Sequence, residues 1–157
     1  MAPRQQEKWE AEHDARVRVL VECAPQRSPS IVASLLEREG FDVRTCEGPA
    51  AHACDLLEHG SCSLVSGADV VVNMLGAEPH GREVVEAVAT VRRPPAVVAE
   101  LTSPQAIALA VDGGGALDAD GVVVVETPVT RRSLLAAIDE ALVARERTGP
   151  MWGDGCP

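Results

Sequence analysis

The sequence predicts an α/β domain: a doubly wound sheet of five parallel strands with helices on both faces. Three observations carry that prediction. The stretches Ala68 to Met74 and Gly121 to Glu126 each hold an unbroken valine run. A half-exposed strand would alternate apolar and polar residues, so both faces of these strands must be covered. Five strand signals alternate with five helix signals over about 130 residues, the pattern of parallel strands joined by crossover helices. At 157 residues the chain can bury one good core and is short for two. Right-handed crossovers then distribute the helices over both faces. The strand containing Val70, Val71 and Val72 is placed in the middle, with Asn73 at its carboxyl end, the edge where open α/β sheets carry their working groups.

The elements follow in order. Residues 1–14 are polar around one large apolar residue, Trp9, and are expected to form a flexible leader; the domain spans 15–148, and 149–157 is a flexible Gly- and Pro-rich tail. Arg16 to Val21 is the first strand. Ser28 is expected to cap the first helix, with Pro29 at its first position. Ile31, Val32, Leu35 and Leu36 share a face of that helix and Gly40 stops it. Phe41 to Cys46 is the second strand. Gly48-Pro49 is expected to open a second helix reaching about His59, with a thin apolar face, and Ser61 to Gly67 to lead into the central strand. After a loop from Gly76 to Gly81, Val84, Val85, Val88 and Val91 line one side of a third helix that Pro94-Pro95 ends. Ala96 to Leu101 is the fourth strand, interrupted by Glu100. Ser103-Pro104 repeats the cap-and-proline start for a fourth helix, Gln105 to about Val111, which runs out into Gly113, Gly114 and Gly115. Beyond the fifth strand, Thr130 caps the most regular helix, with Leu134, Leu135, Ile138, Ala141 and Leu142 on one side.

Composition narrows the function. A formal charge of −10 repels nucleic acid and anionic membrane, and the basic pairs Arg92-Arg93 and Arg131-Arg132 are short. One Phe, two Trp and no Tyr leave little platform for stacking bases or sugars. No apolar run approaches the roughly 18 residues of a membrane span, and the N-terminus is too polar for a signal peptide. The expectation is a cytoplasmic protein whose partners are proteins or cations. Five cysteines in that compartment read as thiols or ligands in preference to a disulfide framework. No Gly-rich dinucleotide fingerprint, Walker loop or Ser-His-Asp arrangement is present.

From the fifth strand onward the pattern becomes more specific. DADGVVVVETPVTRRSLLAAIDEAL resembles the end of response-regulator receiver domains, where a strand delivers a Lys-Pro pair before a capped amphipathic helix. LVECAPQRSPSIVASLLEREGFDV resembles their first strand, first helix and second strand, and GADVVVNML their third strand. The resemblance covers about Arg16 to Arg147 and implies a flavodoxin-like (βα)5 fold. In that family an acidic pair after the first strand holds Mg²⁺, an aspartate ending the third accepts a phosphoryl group, a Thr or Ser ends the fourth, and a lysine precedes the proline of the fifth. A carboxylate attacks phosphorus there while metal and lysine neutralise the developing charge. In this sequence the first position offers Glu22 followed by Cys23; Asn73 stands near the aspartate position, about one residue early; Thr102 or Ser103 is available for the hydroxyl; Thr127 precedes Pro128. An amide cannot form an acyl phosphate. The resemblance therefore implies a degenerate pseudo-receiver, with no cofactor expected and Mg²⁺ doubtful, that works through a protein partner, a second copy of the chain being one form of it. The family's output surface corresponds to about Gln105 to Ala144. The plainer alternative is a flavodoxin-like fold of unrelated ancestry.

Two other constellations stand out. Cys46, Cys54 and Cys62 recur at a spacing of eight with His52 and His59 between them. They are candidate ligands or redox thiols, although zinc ligands usually come in close pairs and buried thiols serve as small hydrophobes. Cys62 is expected to be the most exposed. Cys23 and Arg27, ahead of a helix start, resemble the phosphate loops of low-molecular-weight tyrosine phosphatases and of phosphocysteine sugar-transport subunits. Here three residues separate Cys and Arg where the phosphatase loop has five, and Pro25 removes an amide. Glu100 is odd within a strand: either it points into the pocket beside Asn73 or the strand ends early.

Overall fold

The computed structural model describes residues 8–10, 14–75, 80–102, 104 and 122–148. Five strands, β1 (Arg18–Glu22), β2 (Asp42–Cys46), β3 (Val70–Asn73), β4 (Ala96–Leu101) and β5 (Val122–Glu126), form one sheet in the order β2-β1-β3-β4-β5. All four pairings are parallel. β3 is central, as its valine run requires.

The β3 valine run forms a core because successive side chains leave the sheet on opposite faces, whereas the run in the edge strand β5 is only partly covered and leaves Val124 exposed, contrary to the sequence expectation. Val19, Val21, Val70 and Val72 pack on one face with Leu36 of α1 (Pro29–Arg38) and with Leu134, Ile138 and Ala141 of the last helix. Leu20, Val71 and Val97 pack on the other with Leu56, Leu64, Val65, Val84, Val85 and Val88. These come from α2 (Asp55–His59), α3 (Ser63–Gly67) and α4 (Gly81–Val88). Val70, Val71 and Val72 are at most 1 % exposed; burying such a side chain contributes roughly 1.5–3 kcal/mol. The last helix, α5 (Arg131–Thr148), starts on a reciprocal cap. The Thr130 N–H donates to Ser133 Oγ at 2.9 Å, and the Ser133 N–H donates to Thr130 Oγ1 at 3.0 Å. Serine thus fills the place that Glu holds in the common capping box.

Several elements differ from the sequence reading. The first strand begins at Arg18, not Arg16. No helix opens at Gly48: that residue has φ +86°, and a Cβ there would stand 2.9 Å from Leu75 Cδ1, so a tight turn needs glycine. The helix is confined to Asp55–His59, and Ser63–Gly67, read as a connection, is a helical turn. Ser28 precedes α1 but has φ 56° and no side-chain cap bond; its backbone closes a 3-10 turn, Pro25–Arg27, instead. β4 continues through Glu100. The fourth helix and the glycine run after it lie outside the described residues.

Within the leader, Trp9 is docked. Its Nε1–H donates to the Leu64 carbonyl at 2.8 Å, and Arg18 and Arg44 both lie over its ring, each guanidinium 5.3 Å from the ring centre. This is a double cation–π contact. Among the described residues no helix is long and apolar enough to cross a membrane.

Candidate functional site

The carboxyl edge of the sheet gathers one polar group from each of three adjacent strands. Glu22 ends β1, Asn73 ends β3 in register with it, and Glu100 lies one residue past Ala99, the β4 partner of Asn73. Asn73 is thus level with Glu22. The three are 4 %, 2 % and 6 % exposed. The 3-10 turn brings Arg27 across this edge. Its guanidinium donates through Nη1 to the Met74 carbonyl at 2.9 Å and through Nη2 to Glu100 Oε1 at 2.5 Å.

The satisfaction of these groups is uneven. Asn73 Oδ1 accepts from the Leu75 N–H at 3.1 Å. Glu22 Oε1, Asn73 Nδ2 and Glu100 Oε2 find no hydrogen-bond partner among the described residues. Each such orphan costs roughly 1–3 kcal/mol, so the edge holds unspent bonding capacity. Burial pushes the Glu22 carboxyl up to about 8. The Asn73 amide is near enough to pull it back a little, although the two do not complete a bond of ordinary geometry. At neutral pH Glu22 is therefore mainly a neutral acid.

The other candidates separate. Thr102 is half-buried just past the end of β4, and Glu100 carries the buried side chain there instead; Ser103 lies outside the described residues. The Thr127 N–H donates to the Leu101 carbonyl at 2.9 Å, and Pro128 is exposed after a cis peptide bond. Cys23 is fully buried among the apolar side chains under α1 and α5, its thiol directed to the Ala24 carbonyl at 3.6 Å. Burial raises its pKa, outweighing Arg27, which pulls it down. With Arg27 committed to Met74 and Glu100, Cys23 and Arg27 make no open oxyanion cradle.

On the neighbouring side, Cys46 ends β2 and packs with Cys54 and Cys62 on the core under α2 and α3. All three are half-buried. Burial pushes the Cys46 thiol up to about 12, and both other thiols are close enough to add to that rise. His52 Nε2 stands 3.9 Å from Cys46 Sγ. His59 is apart from them, in an exposed trio with Asp55 and Glu58, the one group of three ligand atoms within 4.8 Å of each other among the described residues. A cavity of about 290 Å³, lined by Ala24, Pro25, Glu47, Pro49, Leu75 and His80 among others, opens between the loops that follow β1, β2 and β3.

Sequence reasoning flagged Glu100 as an oddity in its strand and did not foresee its bond to Arg27. The available signal was an acid in an apolar strand facing an arginine in the first loop.

No family model matches the sequence, and no curated protein sequence matches it. Solved structures do resemble it. A response regulator receiver protein from Sinorhizobium medicae WSM419 aligns with a TM-score of 0.60 at 22% identity, over 83% of this chain and 98% of that one. A CheY-like receiver domain protein from Methanospirillum hungatei JF-1 gives 0.59 at 19% identity, over 86% and 100%. A receiver domain protein from Bacillus halodurans C-125 gives 0.54 at 20%, over 80% and 97%. The class is therefore a flavodoxin-like α/β protein with the receiver topology. At these identities the likeness establishes the fold.

Proposed function

We propose that the protein is a signalling or regulatory module, a pseudo-receiver that takes no phosphoryl group at its strand ends and acts in the cytoplasm by binding a protein partner. The observation that carries this reading is the placement of Asn73, an amide where phosphoryl chemistry would need a carboxylate, level with Glu22 and one register position from Glu100. The neighbouring groups support it. Glu22 is one acid where receivers have two, and burial favours its neutral form. Arg27 already holds the Met74 carbonyl and Glu100. Magnesium is commonly held by one or two ionised carboxylates together with waters; burial favouring the neutral Glu22 and the Arg27 pair at Glu100 both weigh against that here. Control would then come from a partner bound over the surface from Gln105 to Ala144, of which the described part includes the exposed Val124 and Val143; a second copy of the chain is one such partner.

The test is incubation of the purified protein with a small phosphodonor and Mg²⁺, followed by intact mass. The expected result is an unchanged mass. An acid-stable, base-labile phosphoryl adduct mapped to Glu22 or Glu100 would overturn the reading.

A further inference from the structure

We propose that the amino end of the sheet carries a recognition groove for an extended peptide centred on tryptophan, filled in cis by residues 8–10 and able to take the same segment from a second copy of the chain. The contacts around Trp9 define that ligand. The indole N–H donates to the Leu64 carbonyl at 2.8 Å, and the ring packs on the apolar cluster under α2, α3 and α4. Arg44 Nε donates to the Lys8 carbonyl at 2.9 Å, and Arg18 Nη2 donates to the Glu10 carbonyl at 2.8 Å. The two arginines therefore grip the main chain on either side of the ring they both cover.

The groove is built before the peptide enters it. Arg18 and Arg44 are oriented from below by Asp42, at 3.6 and 2.9 Å. Gly67 forms the wall, where a Cβ would strike the indole. Lys8 and Glu10 are themselves exposed, so the groove reads one indole and the two carbonyls beside it. Main-chain bonds for affinity with a side-chain slot for specificity is a common mode of peptide recognition. Nothing in these contacts depends on which copy supplies the segment, and exchange of an identical element is a low-cost route to association. The tether holds the cis segment at an effective concentration of about a millimolar, so a free segment binds a filled groove more weakly than an empty one. The groove lies at the opposite end of the strands from Asn73 and stands apart from the reading of that edge.

The experiment uses the full chain and a fluorophore-tagged peptide of residues 7–11, read by anisotropy. Trp9→Ala empties the groove and is expected to bind the peptide saturably below about 1 mM, at least about fivefold tighter than wild type. Gly67→Ala added to Trp9→Ala closes the slot, and binding is lost while the fold persists. Sedimentation of a mixture tests the second copy. Trp9→Ala offers an empty groove and Gly67→Ala a released indole, so together they form a one-to-one pair that neither makes alone. Peptide binding that does not saturate, is equal in wild type and Trp9→Ala, or survives Gly67→Ala would overturn the groove. A mixture that stays unpaired while the peptide binds would overturn the second copy as its occupant.

Discussion

Arg27 and Glu100, 73 residues apart in the chain, meet at 2.5 Å over the carboxyl edge of the sheet, with the carboxylate almost fully buried and the arginine side chain 40% exposed. Removing one partner strands the other. Arg27→Gln is expected to destabilise the fold by about 1–3 kcal/mol, less than for a wholly buried pair because solvent already screens the guanidinium. Arg27→Gln with Glu100→Gln should recover much of that loss. Urea denaturation of the two single variants and the double variant measures the coupling, and strict additivity would refute the pairing.

Glu22 sets a pH dependence whose sign is fixed. Its folded-state pKa of about 8 lies above the ordinary 4.5. Between those values the native state keeps a proton that the unfolded chain has released. Stability from this group is therefore fullest below about pH 4.5, falls as pH rises, and levels off above about 8. Glu22→Gln should flatten the fall by an amount on the order of a few kcal/mol at most. Unfolding midpoints at pH 5, 6.5 and 8 give the comparison; parallel slopes for variant and wild type would contradict the assignment.

At the leader, Gly67 is a close-approach position. A Cβ built there lies 2.3 Å from Trp9 Cδ1, so Gly67→Ala must expel the indole. The expected cost is about 1–3 kcal/mol, from the lost Leu64 bond and the two arginine contacts. In a Trp9→Ala background the same substitution should be nearly neutral. Thermal denaturation of all four combinations decides it, and an undiminished penalty without the indole would show another cause.

Thr130→Ala removes one half of the cap on α5 and should destabilise by about 1 kcal/mol. Amide exchange is the direct readout: protection should fall first at Ser133 and Leu134, whose N–H groups bond to Thr130. Unchanged exchange there would mean the cap is dispensable.

The fold was legible because its signals are local. Three valines at 70–72 demand covered faces wherever they lie, and Thr130 stands one turn ahead of an apolar stripe. What escaped depends on groups distant in the chain. Gly48-Pro49 resembles a helix start, yet the glycine takes a left-handed turn against Leu75, which leaves no room for a Cβ. Trp9 looks like an isolated apolar residue until Arg18, Arg44 and Leu64 arrive from three other elements. The site was legible in part: the amide at Asn73 could be read directly, while the reach of Arg27 to Glu100 is written in no neighbouring residue.

The position of Trp9 also governs how the molecule can be watched. With no Tyr and a single Phe in the chain, the one indole among the described residues sits against α3 and the arginines of β1 and β2. In a Trp152→Phe background its emission is a natural gauge of how firmly the leader is seated. Among the described residues the one indole sits at the leader and not at the sheet's carboxyl edge, so following events around Asn73 calls for an isotope or a grafted fluorophore.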